Sequence, residues 1–214
     1  MVKIAPSILS ADLANLETEL KKLEKAGADF IHIDVMDGLF VPNLTFGAPV
    51  IKKMRHCTKI PFDVHLMIKN PEVSIKSYIK SGADYITIHP ETTSYLDKTI
   101  NLIKDLGCKV GLALLPTSRP SILEYFLDRI DLILIMGVNP GFGGQKFILT
   151  QLDTIKKITK IVGDRNIIIS VDGGINEEIA HLCKAQGANL LVSGCYIFGG
   201  DYKNNINNLK FIKS

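Results

Sequence analysis

The stretch Ile31-His32-Ile33-Asp34-Val35-Met36-Asp37-Gly38 carries the most informative pattern in the chain. In a strand, successive side chains point to opposite faces, so His32, Asp34 and Met36 share one face and the branched aliphatic residues share the other. Neither face is plainly water-facing, which favours a parallel strand enclosed on both sides in an α/β protein. A histidine and a carboxylate are costly to bury unless they pair or bind a cation. This stretch alone leaves both alternatives open.

The bulk composition is that of one soluble globular domain. The chain has 214 residues, of which 46% are hydrophobic and 22% charged, and we assign residues 1–214 to a single domain. The net charge of +3 is spread along the chain, and tryptophan is absent. Because no basic stripe with interleaved aromatic residues occurs, nucleic acid is not expected as a partner.

The cysteines and the apolar runs indicate the compartment. The four cysteines lack the spacing of a zinc or redox motif and are expected to be reduced thiols; they are Cys57, Cys108, Cys183 and Cys195. The longest apolar run, Leu132–Met136, is too short to span a bilayer. The first residues lack the charged and hydrophobic regions of a signal peptide. We therefore expect a cytoplasmic protein with no membrane partner.

Apolar runs alternate with helical periodicities along the whole chain. The predicted strands cover residues 3–8, 29–34, 60–67, 85–88, 109–115, 131–136, 166–171 and 189–192. The predicted helices begin near residues 10, 49, 70, 94, 122, 147, 176 and 201. Eight such units predict a compact (β/α)8 TIM barrel. A doubly wound open sheet is the alternative.

Local signals support these helix boundaries. Ser10 or Asp12 can cap the first helix, and Asn70 can cap a later one with Pro71 in its first turn. A Gly-Ala-Asp or Gly-Ala-Asn sequence recurs before strands, at Gly27, Gly82 and Gly187. This recurrence indicates one β–α unit that is used many times.

Imidazole and carboxylate side chains fall at the ends of three predicted strands. His32 and Asp34 end the second strand, His65 points inward near the end of the third, and Asp172 is last on the inward face of the seventh. In a TIM barrel these ends meet on the rim that carries the active site. Two imidazoles and two carboxylates suit Zn²⁺, Fe²⁺, Mn²⁺ or Co²⁺. We predict one divalent ion per subunit, Zn²⁺ first among these; a metal-free His–Asp network is the alternative.

Glycines follow three of the predicted strands, in Gly141-Phe142-Gly143-Gly144, Gly173-Gly174 and Ser193-Gly194. Backbone N–H groups in such loops, beside the N-terminus of a helix, form a nest for phosphate. Tight-turn chemistry explains each glycine pair equally well when it is taken alone. Because the loops share one rim, we favour a phosphorylated ligand.

Three methionines also fall at inward-facing strand ends. Met36, Met67 and Met136 would form an apolar wall around the metal site and exclude water, although methionine is usually core filler. His89 and Asp63 are inward candidates that we expect to be structural. His89 stands beside a proline in a loop, and Asp63 lies one layer deeper than the neighbouring histidine.

Six ordered motifs lie between residues 5 and 175, and the resemblance that they carry covers essentially the whole chain. They are Ala-Pro-Ser-Ile-Leu-Ser-Ala-Asp (5–12), His-Ile-Asp-Val-Met-Asp-Gly (32–38), Phe-Val-Pro-Asn (40–43), Asp-Val-His-Leu-Met (63–67), Val-Asn-Pro-Gly-Phe-Gly-Gly-Gln (138–145) and Val-Asp-Gly-Gly-Ile (171–175). These motifs resemble the ribulose-phosphate 3-epimerase family. The resemblance implies an isomerase of the pentose phosphate pathway that interconverts D-ribulose 5-phosphate and D-xylulose 5-phosphate by inversion at C3, through a 2,3-enediolate. We also expect a homo-oligomer.

The resemblance implies a role for individual residues. It implies metal ligation by His32, Asp34, His65 and Asp172, with Asp34 and Asp172 as the acid–base pair. It implies substrate contacts at Ser7, His65, Gly141, Phe142, Gly143, Gly144, Asp172, Gly173, Gly174, Gly194 and Cys195. One departure is Gly194-Cys195-Tyr196 in place of the usual Gly-Ser-Ala. A backbone N–H contact to phosphate survives that change, whereas a hydroxyl contact does not.

Three other functions are alternatives to this one. An epimerase for a six-carbon ketose phosphate needs only a roomier pocket. A barrel aldolase or decarboxylase normally wants a lysine near the strand-end carboxylates, and no inward rim position here is a lysine. A catalytically silent sugar-phosphate sensor would be expected to have lost Asp34 or Asp172, and both are present.

Overall fold

A computed structural model describes residues 1–211; residues 212–214 of the predicted domain lie outside the described residues. The strands are β1 (Lys3–Pro6), β2 (Ile31–Met36), β3 (Phe62–Met67), β4 (Tyr85–Ile88), β5 (Lys109–Leu114), β6 (Leu132–Met136), β7 (Ile168–Asp172) and β8 (Leu190–Ser193). The α-helices are α1 (Leu16–Ala26), α2 (Ala48–Met54), α3 (Ile75–Lys80), α4 (Leu96–Asp105), α5 (Gln151–Val162), α6 (Glu177–Ala185), α7 (Cys195–Phe198) and α8 (Tyr202–Lys210). Short 3₁₀ helices cover Ile8–Ser10, Leu13–Asn15, Arg55–Cys57, Pro71–Val73, Pro90–Thr92 and Pro120–Tyr125.

The strands form one parallel sheet in the order β1-β8-β7-β6-β5-β4-β3-β2. Its two ends meet through a parallel bridge between Ser7 and His32. A backbone hydrogen bond from Phe30 N to Ile4 O adds to this junction (3.3 Å). The predicted eight-stranded barrel is therefore confirmed, and the open sheet is wrong. None of the described helices is long and apolar enough to cross a membrane.

Alternate strand residues build two different cores. Side chains on the outer face pack against the helices in one large apolar cluster, which includes Ile31, Ile33 and Val35. Full burial of such a side chain stabilises the fold by about 1.5–3 kcal/mol. The apolar side chains inside the barrel form a smaller cluster; they are Ala5, Phe30, Tyr85, Ala113, Leu132, Leu134, Met136, Leu190 and Val192. Most of these lie on β5, β6 and β8, whereas the polar interior side chains come mainly from β2, β3 and β7.

The turns before the even-numbered strands share one hydrogen bond. An Asp or Asn just before each even strand accepts the backbone N–H near the start of the preceding odd strand. The pairs are Asp29 Oδ2 with Ile4 N (2.8 Å), Asp84 Oδ2 with Phe62 N (2.8 Å), Asp131 Oδ2 with Val110 N (2.8 Å) and Asn189 Oδ1 with Ile169 N (2.9 Å). The recurring Gly-Ala-Asp and Gly-Ala-Asn sequences thus connect neighbouring units at the N-terminal end of the barrel.

Several predicted boundaries are wrong for local reasons. β2 begins two residues late because the N–H groups of Asp29 and Phe30 both bond to Ile4 O. The helix predicted from residue 147 begins at Gln151, since Ile148 N still donates to Gly137 O (2.8 Å). The helix predicted near residue 122 is a 3₁₀ helix, and the four-residue α7 was too short to show a periodicity.

The capping predictions gave mixed results. Asp12 caps the 3₁₀ helix Leu13–Asn15 by accepting from Ala14 N (3.0 Å), and Gly27 ends α1 in the left-handed conformation. Asn70 makes no capping hydrogen bond with its side chain. Its backbone instead adopts a left-handed conformation (φ 50°) and donates its N–H to Thr92 O (3.0 Å).

Candidate active site

The structure brings the four predicted metal ligands together. His32 and Asp34 come from β2, His65 from β3 and Asp172 from β7. One side-chain donor atom of each residue lies within 4.8 Å of the others. The four residues, hereafter the His–Asp cluster, lie at the C-terminal end of the barrel. A TIM barrel places its active site at this end.

The orientation of His32 is fixed by a buried carboxylate. Its Nδ1 lies 2.9 Å from Asp63 Oδ2, and Thr87 Oγ1 donates to the other oxygen of Asp63 (2.7 Å). His32 Nε2 lies 3.2 Å from Asp34 Oδ1 and is buried without a hydrogen-bond partner. An imidazole that donates through one nitrogen and leaves the other free has the arrangement of a metal ligand with its supporting carboxylate.

His65 faces the cluster on one side and a second histidine on the other. Its Nδ1 lies 3.1 Å from Asp34 Oδ1, and its Nε2 lies 2.8 Å from His89 Nε2. Both imidazoles are completely buried. The sequence predicted only structural roles for His89 and Asp63. His89 contacts the predicted ligand His65, and Asp63 contacts the predicted ligand His32. The only indication in the sequence was that both side chains are expected to point into the barrel, Asp63 from β3 and His89 just after β4.

The two aspartates of the cluster have opposite protonation tendencies. Burial opposes ionisation of Asp34, but His32 and His65 outweigh it and lower the pKa of Asp34 far below its usual range. Ser7 Oγ also donates to Asp34 Oδ2 (2.6 Å). Burial, reinforced by the negative charge of Asp34, raises the pKa of Asp172 to about 7. Asp34 is therefore the anion of the pair, and Asp172 can exist in either form near neutral pH.

The pKa values of the buried histidines are also shifted in opposite directions. Burial alone would lower the pKa of His32, but the carboxylates of Asp34 and Asp63 raise that pKa well above its usual value. Burial lowers the pKa of His65 and lowers the pKa of His89 well below the usual value. His65 and His89 are thus neutral rings near neutral pH, whereas His32 must lose its added proton before its Nε2 can bind a metal ion.

The donor set fits a divalent transition-metal ion. Imidazole and carboxylate ligands together suit Zn²⁺ and the related ions of its row. His32 Nε2, buried and without a hydrogen-bond partner, fits such an ion because an otherwise unsatisfied lone pair is costly at a buried site. The cluster could hold one metal ion.

A small cavity of about 230 Å³ opens above the cluster. Asp34 and Asp172 face it, while Met36, Met67 and Met136 supply the predicted apolar wall. The cavity is small compared with the roughly 300–1,000 Å³ typical of drug-sized ligands. A ligand the size of a sugar phosphate fits it better than a nucleotide does.

The predicted substrate-contact residues surround this cavity. All of them except the buried His65 line it: Ser7, Gly141, Phe142, Gly143, Gly144, Asp172, Gly173, Gly174, Gly194 and Cys195. Further residues that the sequence did not predict as contacts also line the cavity, among them Ser10, Gln145 and Asn176. Ser10 and Gln145 lie within the quoted motifs, whereas Asn176 was identified only as part of a helix start.

The glycine-rich loop after β6 is held in shape by Asn43, from another loop, and by its own Gln145. Asn43 Nδ2 donates to Gly141 O (2.7 Å), and Gln145 Nε2 donates to Asn139 O (2.7 Å) and to Phe142 O (2.9 Å). The backbone at Gly141 has φ 128°, a value that other residues rarely adopt. These bonds fix the loop beside the cavity.

The two shorter glycine segments approach other chain segments closely. A Cβ on Gly174 would lie 2.6 Å from the backbone nitrogen of Phe147, and one on Gly194 would lie 2.4 Å from Ser10 Oγ. Cys195 follows Gly194, with its Sγ 3.6 Å from Ser10 Oγ. A side chain at 174 would collide with backbone, and one at 194 would displace the Ser10 hydroxyl, so both positions favour glycine.

Comparison with known proteins shows one consistent family. The model of the "Ribulose-phosphate 3 epimerase family" matches residues 3–198. Ribulose-phosphate 3-epimerase of Bacillus subtilis is 49% identical over 93% of this chain and 93% of its own length. The Escherichia coli protein of that name is 43% identical over 97% of this chain and 94% of its own length.

Solved structures confirm the fold alone. A mutant tryptophan synthase alpha-subunit from Pyrococcus furiosus superposes with a TM-score of 0.74 at 17% identity, covering 98% of this chain and 99% of that one. Thiamine phosphate pyrophosphorylase from the same organism gives a TM-score of 0.66 at 15% identity, covering 99% and 95%. The whole-length relatives and the family model go further than these: the chain belongs to the ribulose-phosphate 3-epimerase family, a family of isomerases.

Proposed function

We propose that the cavity is the active site at which this chain interconverts D-ribulose 5-phosphate and D-xylulose 5-phosphate. The observation that carries the proposal is the meeting of Asp34 and Asp172, from distant strands, in one buried cluster with opposite protonation tendencies. The family name of the relatives supports the same reaction.

The reaction needs a base and an acid on opposite sides of the substrate. Removal of the C3 proton, which is next to the ketone, leaves a planar 2,3-enediolate. Return of a proton to the other face of that plane inverts the carbon. Asp34 on β2 and Asp172 on β7 are three neighbours apart in the strand order, since β1 and β8 stand between them. Each aspartate can therefore serve one face.

The environments of the two aspartates suit an exchange of roles. Asp34 is held as a carboxylate by Ser7 and the two histidines, ready to accept a proton. Asp172, with its pKa raised to about 7, can carry the proton that is returned. A forward turnover leaves Asp34 protonated and Asp172 ionised; in the reverse direction Asp172 then accepts the C3 proton and Asp34 returns the proton that it holds. One acid and one base in alternation keep the reaction reversible.

The His–Asp cluster also accounts for stabilisation of the charged intermediate. We propose that His32, Asp34, His65 and Asp172 bind one divalent ion, Zn²⁺ before Fe²⁺, Mn²⁺ or Co²⁺. Such an ion would supply positive charge, as a Lewis acid, beside the oxygens of the enediolate. The apolar wall of Met36, Met67 and Met136 keeps water from that region and strengthens every charge interaction within it.

The glycine segments supply a site for the phosphate. We propose that backbone N–H groups of the 141–144 loop, of Gly173-Gly174 and of Gly194-Cys195 bind it, since oriented amides near a helix start attract anions. The thiol of Cys195 adds only a weak donor where the family usually has serine. A contact through the Cys195 backbone is unaffected by that difference.

The cavity favours this reaction over the alternatives. Within the described chain, no lysine lines it, which argues against a Schiff-base aldolase. The volume of about 230 Å³ favours a pentose phosphate over a larger ketose phosphate. Both aspartates are in place, which argues against a silent sensor.

Two broader features remain proposals. We propose that the chain acts as a homo-oligomer and in the cytoplasm. Relatives from Bacillus subtilis and Escherichia coli support a bacterial-type cytoplasmic enzyme, although a relative from Arabidopsis thaliana, 46% identical over 98% of this chain and 76% of its own length, is named chloroplastic.

Turnover and metal content test the proposal together. The purified chain is stripped with a chelator, resupplied with each ion, and assayed with D-ribulose 5-phosphate in a coupled assay for D-xylulose 5-phosphate. We expect turnover that depends on one bound ion per subunit. His65→Asn should lose both, whereas His56→Asn, at an exposed histidine outside the site, should keep both. Absence of turnover with every ion would refute the pentose reaction, and six-carbon ketose phosphates would be tested next.

A further inference from the structure

His89 is a buried imidazole to which the proposed reaction gives no role. Its Nε2 lies 2.8 Å from His65 Nε2, and its ring centroid lies 5.0 Å from that of Phe40. Its Nδ1 is buried, with no hydrogen-bond partner among the described residues. The carboxylate oxygen Glu91 Oε2 lies 3.9 Å from this nitrogen.

The short distance between the two imidazoles restricts where their protons lie. Two ring nitrogens at 2.8 Å form a hydrogen bond in which one donates N–H and the other accepts through its lone pair. His65 presents Nδ1 to the His–Asp cluster, so as a metal ligand it must keep the lone pair there and carry its proton on Nε2. That proton then points at His89 Nε2. His89 must in turn carry its own proton on Nδ1.

We propose that His89 is a positioning residue: it accepts the Nε2–H of His65 and so holds His65 in the tautomer whose Nδ1 lone pair faces the metal. The inference rests on the metal site proposed above. Asp63 does the same for His32 through a carboxylate. The two ligand histidines are thus supported differently, one by an anion and one by a neutral ring.

Glu91 completes the arrangement on the far side of His89. Its side chain is 37% exposed, and its other oxygen accepts a hydrogen bond from Ser118. At 3.9 Å its negative charge attracts the Nδ1–H of His89 without a direct hydrogen bond. A carboxylate in this position favours the His89 tautomer that leaves Nε2 free to accept.

Nuclear magnetic resonance of the wild-type protein tests this without any substitution. Protein labelled with ¹⁵N in its histidines and loaded with Zn²⁺ should show His65 protonated on Nε2 and His89 protonated on Nδ1. A coupling across the hydrogen bond should join the two Nε2 atoms. Zn²⁺ binding with the proton on His89 Nε2 would overturn the inference alone. Failure of the wild type to bind Zn²⁺ would overturn the proposed metal site and this inference with it.

A pair of variants separates the hydrogen bond from packing. His89→Gln keeps an acceptor, whereas His89→Leu fills similar space without one. We expect His89→Leu to weaken Zn²⁺ affinity about 10- to 100-fold, the usual effect of losing a partner of a metal ligand. Competition with a chromophoric chelator measures this, with His56→Gln as the control. Affinity near the wild-type value in His89→Gln supports the inference, and equal weakening in both variants would overturn it.

Discussion

Aspartate side chains have different roles at the two ends of the barrel. At the N-terminal end, Asp29, Asp84, Asp131 and Asn189 each accept one backbone N–H of the preceding strand. At the C-terminal end, Asp34 and Asp172 face a cavity and buried histidines. The first group repeats around the barrel with one geometry. The second group does not repeat.

Asn189 shows what the repeated position requires. It makes the same bond as its three aspartate counterparts, with an amide oxygen in place of a carboxylate. A lone pair in the right place is therefore enough at the N-terminal end. Asp34 and Asp172 must carry a charge or move a proton, which an amide does not do. Replacement of aspartate by asparagine thus distinguishes the two ends.

The largest difference should appear in the rate. Asp34→Asn and Asp172→Asn should each lower kcat by about 10³-fold or more, since general acid–base groups contribute about 10²–10⁴-fold and both residues are also proposed ligands. Asp131→Asn is the matched control and should keep kcat within about twofold of wild type. The coupled epimerase assay measures all three. A comparable loss of activity in Asp131→Asn would break the comparison.

Metal removal should lower the stability of wild type and of a variant at the N-terminal end, but have little effect on a variant at the C-terminal end. A saturating ion at 100 times its Kd stabilises the folded state by about 2.7 kcal/mol. Thermal unfolding with and without chelator should show this shift in wild type and in Asp131→Asn. In Asp34→Asn the shift should be much smaller, because a ligand is lost. An equal shift in all three proteins would place the ion elsewhere.

Stability in the absence of metal should depend on pH through Asp172. Its pKa of about 7 lies above the ordinary value of 3.8, so the folded state holds the proton more tightly. Stability from this group is present below pH 4 and is lost as the pH rises through 7. Between pH 5 and 7.5, stripped wild type should lose about 2 kcal/mol more than Asp172→Asn. Urea unfolding measures this loss, and equal slopes would contradict it.

The smallest effects belong to the N-terminal end. Asp131→Ala removes the acceptor of Val110 N and should lower the free energy of unfolding by about 1–2 kcal/mol. Asp131→Asn should lower it by less than about 0.5 kcal/mol, because the amide oxygen replaces the carboxylate oxygen. Urea denaturation compares the two. A larger loss in the Asn variant than in the Ala variant would show that the charge matters at this end too.

The strand pattern and the repeated turns could be predicted because they depend on local sequence. Inward parity placed His32, Asp34, His65 and Asp172 on one rim, and the structure brings them together. The partners Asp63 and His89 could not be assigned in that way. Their roles depend on distances across neighbouring strands, such as the 2.8 Å between two imidazoles. A single sequence predicts which side chains of a strand point to the same face, but not how closely side chains of different strands approach each other.

The route of the C3 proton distinguishes epimerisation by two catalytic groups from epimerisation by one. Wild-type protein is incubated with D-ribulose 5-phosphate in ²H₂O and the early products are analysed by nuclear magnetic resonance. If Asp34 and Asp172 act on opposite faces, the product should carry deuterium at C3 while the remaining substrate keeps its protium. Product that retains the protium of the substrate would mean that one group carries the proton between both faces, and would contradict the account.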